Sequence, residues 1–83
     1  MNNIERDTAN ASLIARLIIA AMPTSSLDET ASAIREAWED FSDDDRKRIA
    51  RATYRIDFDR RAGARLRLDL LMNNPEIDLY RYR

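Results

Sequence analysis

Apolar positions recur at two different periods along this chain, and the change comes at Thr53. Before it, the spacing is helical. Placed at 100° per residue, Leu13, Ile14, Leu17, Ile18, Ala20 and Ala21 fill one broad sector, which predicts a helix over about 8–22. Ile19 falls opposite the core-facing stripe. Pro23 ends the helix, because it lacks an amide proton and crowds the preceding turn. Ser26-Leu27-Asp28-Glu29 has the form of a capping box, in which the hydroxyl accepts from the third helical amide. A second helix over about 27–41 follows, with Leu27, Ala31, Ile34, Trp38 and Phe41 as its apolar stripe. Ser42 before Asp43-Asp44-Asp45 is a second N-cap with an acidic first turn, suited to the positive end of a helix dipole. It starts a third helix over about 43–52.

After Thr53 the period is two. Tyr54, Ile56 and Phe58 alternate with Arg55, Asp57 and Asp59, and Leu66, Leu68 and Leu70 alternate with Arg65, Arg67 and Asp69. Strands over about 53–59 and 64–71 pair in one favoured register. It sets Phe58 opposite Leu66, Ile56 opposite Leu68 and Tyr54 opposite Leu70. On the other face Asp59, Asp57 and Arg55 meet Arg65, Arg67 and Asp69, three pairs of opposite sign. Arg61-Ala62-Gly63 closes the hairpin, with the chain's only glycine at a position needing positive φ. The competing reading is a continuous helix through 43–72, since Leu and Arg are good helix formers. Asn73-Asn74-Pro75 signals a turn before a third strand over about 77–82. The expected fold is therefore α+β, in one domain over 1–83: two to three N-terminal helices packed on a C-terminal antiparallel hairpin or three-stranded meander. The expected core is Leu13, Leu17, Ile18, Leu27, Ile34, Trp38, Phe41, Ile49, Ile56, Phe58, Leu66, Leu68 and Leu70.

Composition narrows what such a domain does. At 83 residues with no Cys and no His, the chain has neither disulfides nor the usual zinc and haem ligands, so any staple is another copy or a partner protein. It also lacks the common groups for acid–base and thiol catalysis. Asp43, Asp44 and Asp45 lack the spacing of a calcium loop and read as a helix start. Neither enzymatic activity nor a cofactor or metal is expected. The longest apolar run, residues 17–22, is too short to span a bilayer, and Glu5 and Asp7 stand where a signal peptide is basic. A cytoplasmic protein with no membrane partner is the expectation.

Net charge is −1, yet residues 1–45 carry ten acids and three bases while residues 46–83 carry eleven bases and five acids. Three helices followed by a hairpin resemble winged-helix domains in element order. That resemblance implies nucleic-acid binding through Arg46, Lys47, Arg48 and Arg51 of the third helix and Arg60 and Arg61 at the hairpin tip. Against it, a recognition helix presents its N-terminal end to the bases, and here that end is three aspartates. The favoured reading is a non-catalytic protein-binding domain, a small regulator or inhibitor of a larger protein or complex. Small Cys-free domains of this kind are common among phage and mobile-element proteins directed at host defence systems. The residues expected to meet the partner are Arg60, Arg61, Arg65, Arg67, Tyr80, Tyr82 and Ile19, since Tyr and Arg are enriched at binding hot spots. Homodimerisation is a separate expectation.

Overall fold

The computed structural model describes the backbone of residues 3–55 and 60–82 and the side chains of residues 10–55 and 62–82. Four helices account for most of it: α1 Asn3–Ala21, α2 Leu27–Ala37, α3 Asp43–Tyr54 and α4 Arg60–Asn73, with one 3-10 turn at Trp38–Asp40 between α2 and α3. No strand occurs among the described residues. The α+β expectation is thus overturned, and the protein is a helical bundle. α1 packs on α2 and α3, and α4 packs on the same two helices, so α1 and α4 lie diagonally across the bundle.

The two serine caps form as local physics requires. The Ser26 hydroxyl accepts from the Glu29 amide at 3.1 Å, and the Ser42 hydroxyl from the Asp45 amide at 3.2 Å. Each satisfies one of the amides left without a partner at a helix start. Replacing either serine by alanine is expected to lower stability by about 1 kcal/mol, read from the urea unfolding midpoint.

The segment predicted as a hairpin is helical on both sides of residues 56–59, which lie outside the described residues together with the Ile56, Asp57, Phe58 and Asp59 pairings. Tyr54 ends α3, and the expected strand 64–71 lies wholly within α4. The cause is compositional. Residues 60–73 contain no β-branched side chain and are dominated by Ala, Leu and Arg, the best helix formers. Burial along α4 follows the helical period: Gly63, Leu66 and Leu70 are buried, and Leu68 is 51% exposed. Leu68 therefore leaves the expected core. Asp69, expected opposite Arg55, and Arg67 make contacts with other helices. Asp69 lies 3.9 Å from Arg35, and Arg67 donates to the Thr53 carbonyl at 3.0 Å. Gly63 adopts no positive φ. It lies where α4 crosses the end of α3, and a Cβ there would overlap the Thr53 carbonyl oxygen.

The expected third strand is instead a chain of turns. Pro75 halts α4, Ile77 donates its amide to the Asn74 carbonyl at 2.8 Å, and Asp78 accepts from the Tyr80 amide at 3.1 Å. Ile77 and Leu79 are buried within the same core as Ile34, Trp38, Phe41, Ile49, Leu66 and Leu70. The C-terminal segment thus contributes two fully enclosed apolar side chains to the bundle.

α1 turns a different face inward from the one expected. Its buried positions are Ala11, Ala15, Ile18 and Met22. Leu13 and Leu17, expected in the core, are 55% and 60% exposed, and Ile14 is 41% exposed. Small residues sit where α1 meets its neighbours, which permits close helix–helix approach, and the larger residues remain outside. Ile19, expected on the opposite side, packs half-buried against the core.

Candidate functional site

Two clusters of side chains tie the helices together, and both absorb residues that the sequence offered for binding. At the first, Arg46 on α3 donates from Nε and Nη2 to the Trp38 carbonyl at 3.2 and 2.8 Å, and from Nη1 to the Tyr82 hydroxyl at 3.2 Å. Its guanidinium stands 4.7 Å from the Trp38 ring and 5.7 Å from the Tyr82 ring. Trp38 donates its indole N–H to the Glu76 carbonyl at 3.1 Å. The planar fork of an arginine suits this triple task, and a lysine would not reproduce it. Arg46 and Tyr82 therefore clasp the C-terminal segment to the corner between α2 and α3.

At the second, Arg67 on α4 reaches the end of α3. Its Nη1 donates to the Thr53 carbonyl and to the Thr53 hydroxyl at 3.0 and 3.2 Å, and the guanidinium stacks 3.7 Å over the Tyr54 ring and 5.9 Å from Tyr80. Arg67 is an internal tie between helices. Tyr80 stays 45% exposed beside it.

The remaining sequence candidates are scattered. Lys47 and Arg51 are exposed on α3, and Arg48 lies 3.6 Å from Asp45. Arg60 and Arg61 begin α4, so the tip of the expected hairpin is a helix start. The three aspartates diverge: Asp45 is buried and accepts from the Ser12 hydroxyl at 3.5 Å, while Asp43 and Asp44 face outward. Among the described residues no group of acids is placed to hold a metal ion, and no helix is long and apolar enough to cross a membrane.

One feature of a binding surface does emerge, at a place the sequence did not single out. A groove of about 390 Å³ runs between the start of α2 and the outer face of α4, lined by Leu27, Asp28, Arg65, Leu66, Leu68, Asp69, Met72 and Asn73. Leu68 and Met72, four residues apart on one helical face, stand 51% and 73% exposed along it. Arg65 is exposed at its edge. Among the described residues proposed from sequence for partner binding, Arg65 alone lines this groove. Leu68 and Met72 were missed because alternation assigned Leu68 to a sheet core, and only the helical period turns it outward. Comparison with protein-family models, curated proteins and solved structures finds no match for the chain.

Proposed function

We propose that this chain is a non-catalytic protein-binding domain, a small regulator or inhibitor of a larger protein, and that it engages its partner through the α2–α4 groove. The observation that carries the reading is the exposed pair Leu68 and Met72 beside that groove. Two apolar side chains one helical turn apart, next to a cleft with an arginine at its rim, match the way an amphipathic helix is seated by apolar anchors. Methionine adapts its shape to a partner surface, and arginine supplies planar hydrogen bonding at the edge. Asp28 lines it from α2, and Arg65 and Asp69, one helical turn apart, line it from α4.

The test is capture of a stoichiometric partner from the native host by the wild-type chain, with Leu68→Glu and Met72→Glu compared in parallel. Both positions are exposed, so the variants should fold with stability within about 0.5 kcal/mol of wild type, checked by thermal unfolding. The expected result is a partner retained by wild type and lost by each variant. A partner held equally by all three chains moves the site elsewhere, and a folded bait that captures nothing stoichiometric removes the reading. A mobility shift with nucleic acid at about 50 mM salt that fades as salt rises would favour the nucleic-acid alternative instead.

A further inference from the structure

A second exposed apolar face lies on α1, diagonally across the bundle from that groove. Asn10, Leu13, Leu17 and Ala20 are all exposed and follow one another at spacings of three, four and three. That is the spacing of a coiled-coil seam, in which side chains of two helices interlock along a narrow stripe. Ile14 and Ala21, also exposed, widen the stripe on the side facing α2. The polar Asn10 occupies a seam position of the kind that fixes register in paired helices.

The two flanks differ in charge: the α2 side presents acids, and the α3 side presents arginines offset in part by Asp44 and Asp45. On the α2 side, Glu29 borders the groove beside Leu17 and Ala21, and Asp40 borders the one beside Asn10 and Ile14. Glu36, exposed and seven residues after Glu29, lies on the same face of α2 between them. On the α3 side stand Arg16, exposed on the same ridge of α1 as Ser12, and Arg48, whose Asp45 neighbour accepts from Ser12. Asp44 is exposed on the outer side of α3 near Arg48. As α2 runs back along α1, Glu29 comes level with Leu17 and Ala21 and Asp40 with Asn10 and Ile14, a span that brackets Arg16.

From this polarity we infer that the occupant of the α1 face is a second copy of the chain, paired about a two-fold axis parallel to α1 so that the two helices run in the same direction. That axis brings the acidic flank of each copy against the basic flank of the other at equal height. An antiparallel pair, with the axis across the helices, would set acid against acid and base against base. Seam packing supplies the attraction, and the flanking charges choose the orientation. The inference does not rest on the α4 groove, and the dimer leaves that groove free.

The test is the mass of the full chain by light scattering and sedimentation, with introduced cysteines to read orientation. A dimer is expected at about 100 µM, with Leu17→Glu raising the dissociation constant at least about 100-fold. Leu13→Glu should do the same, and Leu68→Glu should leave the mass unchanged. The chain has no native cysteine, so Leu13→Cys and Ala20→Cys each offer a single thiol. Parallel helices place each against its own counterpart within disulfide reach, and both should cross-link under mild oxidation. An antiparallel pair can bring at most one of these two positions against itself, so cross-linking of only one would overturn the arrangement. A monomeric mass at about 0.5 mM, or a dimer that survives both glutamate variants, would overturn the interface itself.

Discussion

Trp38→Ala is expected to lower stability by about 3–5 kcal/mol, the usual cost of removing a large buried aromatic side chain. Proteins have only about 5–15 kcal/mol in total, so this single change removes about a fifth or more. The side chain is 2% exposed and meets Phe41 and Tyr82 edge to face at centroid distances of 6.4 and 5.7 Å. It also holds the Glu76 carbonyl through its indole N–H, at 3.1 Å, and supports the Arg46 guanidinium stacked 4.7 Å from the ring. Removing it takes away the surface on which residues 76–82 are laid, and with it the seat of Ile77 and Leu79. Urea unfolding should show the midpoint fall, and amide exchange should show the C-terminal segment opening first. Trp38→Phe separates the two contributions. It keeps an aromatic ring in place and leaves the Glu76 carbonyl without its donor, for an expected cost of about 1–3 kcal/mol. A loss below about 1 kcal/mol in the alanine variant would show that the clasp does not hold the segment.

Gly63→Ala is expected to destabilise the protein by about 1–3 kcal/mol, the range for forcing an extra group into a packed contact. The sign is the informative part. A glycine inside a helix normally costs about 1 kcal/mol relative to alanine, so helix propensity alone predicts that the substitution stabilises. The contact opposes it. A Cβ on Gly63 would overlap the Thr53 carbonyl oxygen and lie 3.2 Å from its carbon and 3.3 Å from Arg67 Nη1. Because the nearest atom is main chain, it cannot swing away as a side-chain tip would. α4 must shift off α3, and the Arg67 bond to the same carbonyl, 3.0 Å, is strained with it. Equilibrium unfolding in urea decides between the two. A rise in stability would mean that the helices crossing at Gly63 are free to separate without loss.

The segment after Thr53 carries a pattern that a strand and a helix share. Leu66 and Leu70 are four residues apart, and a spacing of four keeps two side chains on one face in a strand and in a helix alike. Both readings bury them. Leu68 alone discriminates, and its exposure follows from the helix. The alternating charges that seemed to fix a hairpin register have the same ambiguity, because Asp69 and Arg67 find partners on α2 and α3 as readily as on a neighbouring strand. α1 carries a second version of the problem. Its apolar sector was visible, but periodicity places the core at the middle of the sector, at Leu13 and Leu17. The bundle uses Ile18 at its edge and Ala11 and Ala15 beyond it, where small side chains let the helices approach. Of the residues expected to meet a partner, the groove holds Arg65, and its exposed apolar members, Leu68 and Met72, depend on knowing that the segment is helical.

What the sequence determined by itself is the set of short-range features: the serine caps at Ser26 and Ser42, the apolar positions of α2 and of the turn after it, where Trp38 and Phe41 lie, and the breaks at Pro23 and Pro75. Each of these is settled within about one helical turn of chain, by hydrogen bonds and sterics among near neighbours. The tertiary structure alone decided that Gly63 is a point of close helix crossing and not a turn, that Arg46 and Arg67 are inward ties, and that the large side chains of α1 face out. Those outcomes depend on which main-chain and side-chain atoms from distant segments come to occupy the same space. No period or spacing along one strand of sequence encodes that, because a glycine beside a Thr53 carbonyl and a glycine in a hairpin loop are the same letter.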